Sequence, residues 1–165
     1  NWSDKNMEKD RIRNLLRDEE LARRDFMRPQ LLELGLTVGQ GQPRILLNLL
    51  RYGPQTQKKL SDRCRMDVTT MSRTLDRMET SGFVAREDNP GCRRSYLIRL
   101  TSLGEEKAEK VKGLFEQCDE IMSRGISPEE AEAFCATLEK IAANLLEAGA
   151  AREGAAGSGD GAESQ

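Results

Sequence analysis

The chain of 165 residues contains no histidine. Histidine is the commonest general base, so its absence excludes Ser-His and Cys-His nucleophilic centres and every histidine-containing metal site. Lys, Asp or Glu chemistry stays open, but no constellation of catalytic groups stands out. We therefore expect a protein that is not an enzyme and that uses no cofactor.

Aromatic residues and long apolar runs are also scarce. Aromatics make up 4% of the chain and charged residues 33%, which indicates long solvated helices rather than a thick core. No run approaches 18 apolar residues, and the charged N-terminus lacks a signal-peptide core, so we expect no membrane association. The four cysteines show no Cys-x-x-Cys spacing, which is typical of reduced thiols in a cytoplasmic protein.

The formal net charge of −2 hides an uneven distribution along the chain. Residues 37–101 carry 12 basic and 6 acidic side chains, whereas residues 102–165 carry 6 basic and 14 acidic ones. A net +6 segment beside a net −8 segment suggests a basic surface for a polyanion on an acidic scaffold. Chance clustering of solvated charges is the competing interpretation.

Periodicity and capping signals predict a mainly α fold with a small β-hairpin. The predicted order is a helix from Asn6 to about Leu34, a helix after a capping box at Thr37–Gln40 that ends near Arg51, short helices at 55–65 and 68–81, strands at 83–88 and 94–101, and long helices beginning at Ser102 and Pro128. The two short helices form a predicted helix-turn-helix, and the hairpin forms its wing. Residues 148–165 lack large apolar side chains and are predicted to be a disordered tail.

The helix at 68–81 has the two faces that a DNA-recognition helix needs. Met71, Leu75 and Met78 share one side, whereas small hydroxyl residues and arginines share the other. Arg can bind guanine with two hydrogen bonds, and Thr offers a hydroxyl and a methyl group. The predicted base contacts are Thr69, Thr70 and Arg73, with Ser72 and Arg77 on bases or backbone. An ordinary solvated helix face is the alternative.

Two flanking segments carry further predicted DNA contacts. Thr56 and Gln57 begin the preceding helix, whose free N–H groups favour a phosphate. Arg86, Arg93 and Arg94 lie in the hairpin and are predicted to follow the DNA backbone or enter a minor groove. Capping residues and solvated strand-edge arginines are the respective alternatives.

The segments "GLTVGQGQPRILLNLL", "TQKKLSDRCRMDVTTMSRTLDRMETSGFVARE" and "RRSYLIRLTSLG" together resemble the MarR family of bacterial winged-helix regulators. The resemblance covers about residues 8–147. It implies a homodimer that binds a palindromic operator in double-stranded DNA, more often as a repressor, through Thr69, Thr70, Ser72, Arg73 and the wing arginine Arg94. It also implies a small aromatic effector, often phenolic, in a crevice beside the dimerisation helices.

The resemblance assigns roles to the remaining segments. Residues 1–36 become an N-terminal dimerisation helix, residues 37–101 the winged helix-turn-helix domain and residues 102–147 the C-terminal dimerisation helices. The stripes of apolar residues on the terminal helices agree with this, because a small winged domain offers them no partner. A winged-helix module that docks an acidic protein partner is the competing function.

Cys92 marks a departure from the family pattern. Wings of this family usually carry Asp-x-Arg, and Cys92 stands in the place of that aspartate, two residues before Arg94. Asp88 is the alternative residue to orient Arg94. Cys64, Cys118 and Cys135 lie on apolar helix faces and are predicted to pack inside, so Cys92 is the thiol expected at the surface. A thiol-based redox sensor using Cys92 stays open as an alternative.

Overall fold

The computed structural model describes residues 4–37, 39 and 41–157, with side chains from Asp10 to Arg152. The chain divides into two compact units, at the boundary between Glu120 and Ile121. The elements are α1 (Asp4–Glu33), α2 (Gln42–Tyr52), β1 (Gln55–Thr56), α3 (Gln57–Cys64), α4 (Val68–Thr80), β2 (Val84–Asp88), β3 (Tyr96–Leu100), α5 (Ser102–Met122) and α6 (Pro128–Gly157). The predicted mainly α winged helix-turn-helix is confirmed.

The predicted hairpin is part of a three-stranded antiparallel sheet in the order β1-β3-β2. Strands β2 and β3 pair from Val84 opposite Leu100 to Asp88 opposite Tyr96. Strand β1 adds two residues on the other side of β3, with Gln55 opposite Ile98. The sequence analysis missed β1 because two residues show no alternation pattern.

The entry to α2 differs from the prediction. Gly41, with φ of 73°, is the N-cap of α2 and makes no side-chain cap hydrogen bond. The predicted capping box at Thr37–Gln40 is therefore not the start of this helix, and two of its residues lie outside the described ranges. Instead, the buried Gln42 side chain accepts a hydrogen bond from the Thr37 backbone N–H at 2.8 Å. Pro29 lies within α1 and does not end it.

The core of the first unit lies beneath α4. Its most completely buried large side chains come from α2, α3, α4, β3, α5 and the segment after α1, and they are Ile45, Leu46, Leu60, Met71, Leu75, Met78, Ile98, Val111 and Leu36. Leu60 and Cys64 lie one turn apart on the inner face of α3 and are both fully buried. Because these elements share one apolar core, α4 is fixed relative to the sheet that carries the wing.

The second unit consists mainly of α6. A capping box precedes α6, since the Glu130 N–H donates to Ser127 Oγ and the Ser127 N–H donates to Glu130 Oε2. The helix continues through residues 148–157, which were predicted to be disordered, and alanine, the strongest helix former, makes up half of this segment. Residues 158–165 of that predicted tail lie outside the described ranges. None of the helices within those ranges is long and apolar enough to cross a membrane.

Candidate nucleic-acid interface

Asp67 is the N-cap of helix α4. Asp67 accepts hydrogen bonds from the Thr70 N–H at 2.8 Å and from the Thr70 hydroxyl at 2.6 Å. The hydroxyl bond and then the backbone bonds of Thr70 lower the pKa of the Asp67 carboxyl. The Thr70 hydroxyl proton is therefore already committed, which leaves its oxygen and methyl group for an incoming ligand.

The two faces of α4 match the prediction. Met71, Leu75 and Met78 have no exposed surface, whereas Thr69 and Arg73 are exposed. Ser72 is half-buried, and Arg77 lies on the exposed side. The apolar anchor holds α4 rigidly against the core and presents its first two turns to solvent.

Arg86 has a different role from the one predicted. Its guanidinium extends from β2 to α4, where Nη2 donates to Asp76 Oδ1 at 2.6 Å and Nη1 donates to Glu79 Oε2. Partial burial alone would lower the pKa of Arg86, but these two carboxylates outweigh it and raise the pKa. Arg86 therefore joins the wing to the recognition helix rather than extending freely toward a duplex.

The start of α3 lies beside the wing. Thr56 caps α3 by accepting a hydrogen bond from the Lys59 N–H at 3.3 Å. Thr56, Gln57 and Lys58 line an open cavity of about 210 Å³ together with Arg86, Arg94, Ser95, Tyr96 and Ile98. The structure thus brings together four of the predicted DNA contacts, namely Thr56, Gln57, Arg86 and Arg94.

The tip of the wing is a turn held by its own polar groups. The Asn89 side chain accepts from the Gly91 N–H at 3.0 Å and donates to Ser95 Oγ at 2.8 Å. Arg93 and Arg94 are exposed, and neither forms an ion pair with any described residue. No described contact joins Asp88 to Arg94, so Asp88 does not take the place of the family aspartate.

Cys92 is exposed at this turn, as predicted. Hydrogen bonds from the Arg94 backbone and the Ser95 side chain lower the pKa of its thiol. Cys64 and Cys118 are buried, as predicted, whereas Cys135 is exposed on α6 in the single chain. Burial raises the pKa of Cys64.

Sequence reasoning missed two features of this surface. One is the pairing of Arg86 with Asp76 and Glu79. The sequence signal for this pairing was the presence of two acidic residues, three positions apart, on the face of α4 that also carries the arginines. The other is a cross-strand ion pair between Arg99 and Glu87 at 3.0 Å. Within the described residues, no group of three or more Cys, Asp and Glu side chains is placed to hold a metal ion.

Comparison with known proteins shows which family this chain resembles. The MarR family profile matches residues 39–96, from the segment before α2 to the start of β3. An uncharacterized HTH-type transcriptional regulator of Bacillus subtilis, YdgJ, is 30% identical over 109 residues, 65% of this chain and 66% of its own length. A MarR family transcriptional regulator from Silicibacter pomeroyi is 27% identical, with a TM-score of 0.64, over 79% of this chain and 87% of its own. The chain is thus similar to the MarR family across its helix-turn-helix segment and the first strand of its wing.

The fold of the MarR family also occurs in a solved complex with DNA. A mutant MarR from E. coli, complexed with operator DNA, superposes with a TM-score of 0.71 over 84% of this chain and 99% of its own, at 22% identity. At that identity the likeness establishes the fold. The chain matches 61–66% of the length of its Bacillus relatives YdgJ, YfiV and YwoH.

Proposed function

We propose that this chain is a MarR-family DNA-binding transcriptional regulator that inserts α4 into the major groove and lays its wing along the backbone. The observation that carries the proposal is the pairing of Asp76 and Glu79 with Arg86. These are the acidic side chains of α4, and unpaired they would repel phosphate. Arg86 compensates one of these two negative charges, and the exposed groups in the first two turns of α4 include Thr69 and Arg73, which a polyanion can approach.

The surrounding cations agree with this assignment. Arg93 and Arg94 at the wing tip lack acidic partners within the described chain, and Thr56 and Gln57 lie in the same cavity as Arg94. A positive helix N-terminus beside unpaired guanidinium groups favours phosphate. A MarR mutant from E. coli with the same fold was solved in complex with operator DNA, which supports DNA as the ligand of this fold.

We further propose that the protein acts as a homodimer on an inverted repeat. On α1, Ile12 and Leu15 are 49% and 56% exposed, and on α6, Phe134, Leu145 and Leu146 are 59%, 70% and 67% exposed. Apolar stripes of this kind favour burial against a second chain. Two copies of α4 about 34 Å apart would then read half-sites one duplex turn apart.

The test uses fluorescence anisotropy to measure how the protein binds labelled DNA from upstream of its own gene. The measurement is made with and without unlabelled competitor DNA of unrelated sequence. Specific binding should fall steeply with salt, because phosphate contacts release counterions. Arg73→Ala should weaken operator binding by about tenfold or more and relax preference at one base position. Arg23→Ala removes an exposed arginine that pairs with Glu19 on α1, and should leave binding unchanged.

The outcome separates this proposal from a protein-docking module. Equal affinity of wild type and Arg73→Ala, or no preference over competitor DNA, would exclude sequence reading by α4. Light scattering at micromolar concentration tests the dimer, and a monomer would exclude the inverted-repeat arrangement. The direction of regulation follows from reporter expression in cells with and without the protein, where repression is the expected result.

An effector site is the remaining part of the proposal. An open cavity of about 260 Å³ lies between α1 and α5, lined by Gln30, Glu33, Leu34, Lys110, Gly113, Leu114 and Gln117. Its volume suits a single aromatic ring with polar substituents. A phenolic carboxylate should release operator DNA in the anisotropy assay, and Lys110→Ala should raise the concentration required.

A further inference from the structure

Tyr52, at the end of α2, has a side chain stacked with two arginine guanidinium groups. The Cζ atom of Arg63 lies 3.9 Å from the centroid of the Tyr52 ring, and that of Arg51 lies 5.3 Å away. Tyr52 is 50% exposed, so this cluster lies at the surface. Stacking on an aromatic face fixes the plane of a guanidinium and leaves its N–H edge open.

Arg63 is also held from beneath. Its Nη1 donates to Gln55 Oε1 at 3.2 Å, and Gln55 is only 4% exposed. The Gln55 amide group donates to the backbone carbonyls of Asn48 and Gly53, each at 3.4 Å. This chain of contacts leaves most of the five guanidinium donors of Arg63 without a partner in the described structure.

The cluster carries two positive charges and no carboxylate. Within the described ranges, neither Arg51 nor Arg63 forms an ion pair. The two guanidinium groups, with Tyr52, Leu47 and Asn48, line an open cavity of about 250 Å³. Two like charges on one ring repel each other, and an anion between them would relieve that repulsion.

We propose that this arginine–tyrosine cavity, defined by Leu47, Asn48, Arg51, Tyr52 and Arg63, binds a phosphate group. The fork of N–H donors on arginine matches the oxygens of a phosphate, and such charge-assisted pairs are the stronger class of hydrogen bonds. The phosphate can belong to the backbone of bound DNA or to a free phosphorylated molecule. The site itself stands apart from α4 and the wing, whereas its use by DNA rests on the proposed function.

The site is tested by titrating the protein with inorganic phosphate, with chloride at equal ionic strength as the reference. The Nε–Hε resonances of Arg51 and Arg63 should shift saturably with phosphate alone. Arg63→Gln should weaken phosphate binding about tenfold, the loss expected for a charge-assisted contact. Arg23→Gln removes the same charge from α1 and should change nothing.

A shift of the Nε–Hε resonances in phosphate equal to that in chloride would overturn the proposed phosphate site. An unchanged phosphate affinity in Arg63→Gln would overturn it as well. Far-UV circular dichroism confirms that each variant is folded, and Arg51→Gln provides a second variant with the same expected loss. Tyr52→Leu, which keeps the bulk but removes the aromatic face, should also weaken binding.

Repeating the titration with saturating operator DNA identifies the source of the phosphate. If the DNA backbone occupies the site, the phosphate response disappears, and Arg63→Gln lowers the salt dependence of DNA binding by about one phosphate. If the response persists, the ligand is a free phosphorylated molecule. A protein that binds no operator at all would refute the proposed function, while the titration without DNA would still decide the site.

Discussion

Gly104, in the first turn of α5, is the position where one added methyl group should have the largest effect. A Cβ atom there would lie 1.8 Å from the backbone oxygen of Phe83, although real Cβ contacts below 3.0 Å essentially never occur. The neighbouring atom is backbone, so no rotamer change relieves the overlap. The Gly104→Ala variant must therefore move α5 and the Phe83 turn apart by about 1 Å or more.

The energetic effect follows from the contacts at this junction. The Thr101 N–H donates to the Phe83 carbonyl at 3.1 Å, the Thr101 hydroxyl donates to the Gly82 carbonyl, and the Gly104 N–H donates to Thr101 Oγ1 at 3.0 Å. Overpacking costs about 1–3 kcal/mol, and each lost hydrogen bond about 0.5–1.5 kcal/mol. Against this, alanine gains about 1 kcal/mol in helix propensity. We expect Gly104→Ala to lower the free energy of unfolding by about 2–4 kcal/mol.

Gly113 provides the matched control on the same helix. A Cβ atom there meets no other atom within 4 Å. Gly113→Ala should therefore raise the free energy of unfolding by about 0.5–1 kcal/mol through helix propensity alone. Urea unfolding followed by circular dichroism, at one protein concentration for all variants, measures both changes. A Gly104→Ala variant as stable as wild type, or changed in the same direction as Gly113→Ala, would refute the close approach.

Three further predictions concern the candidate DNA surface. Arg86→Gln should lower operator affinity without lowering the salt dependence of binding. The reversed pair, Arg86→Glu with Asp76→Arg, should restore part of the affinity. A salt dependence reduced by one phosphate would instead indicate that Arg86 contacts DNA directly. Because its N-cap hydrogen bonds lower the pKa of Asp67 from 3.8, the ionised carboxylate stabilises the fold above about pH 4 and loses that contribution as pH falls through the folded pKa. Asp67→Asn should therefore flatten the acid side of the stability profile, and an unchanged profile would contradict this. Iodoacetamide should alkylate Cys92 well before the two buried thiols, and Cys92→Ser should leave operator binding unchanged in the anisotropy assay.

Local signals in the sequence were sufficient to predict helix α4. The Asp67 N-cap, the spacing of Met71, Leu75 and Met78, and the terminating Gly82 all act within a few residues of one another. Such caps and periodicities are properties of the segment itself, so they do not depend on tertiary contacts with the rest of the fold. The exposed face of α4 follows from the same projection.

Features that depend on tertiary contact were not predictable in the same way. Arg86 was predicted to contact DNA because an arginine on a strand beside α4 can pair either with a phosphate of DNA or with an acidic side chain of the helix. The sequence does not show which of the two is nearer. The start of α2 at Gln42 depends on the left-handed Gly41 and on a side chain that reaches back to Thr37. Exposure of Cys135 depends on whether anything packs against its helix face, which its apolar neighbours do not reveal.

The junction at Gly104 also bears on how an effector between α1 and α5 would reach the DNA surface. Helix α4 ends at Thr80, and the turn that follows is hydrogen-bonded to Thr101 and packed against Gly104. A shift of α5 must either break these two hydrogen bonds, at about 1–3 kcal/mol, or carry the end of α4 with it. Typical allosteric coupling energies are about 1–3 kcal/mol, so breaking the junction would consume most or all of the available energy. We therefore expect the first turn of α5 and the end of α4 to move together, and an effector to act by reorienting α4 as a rigid element.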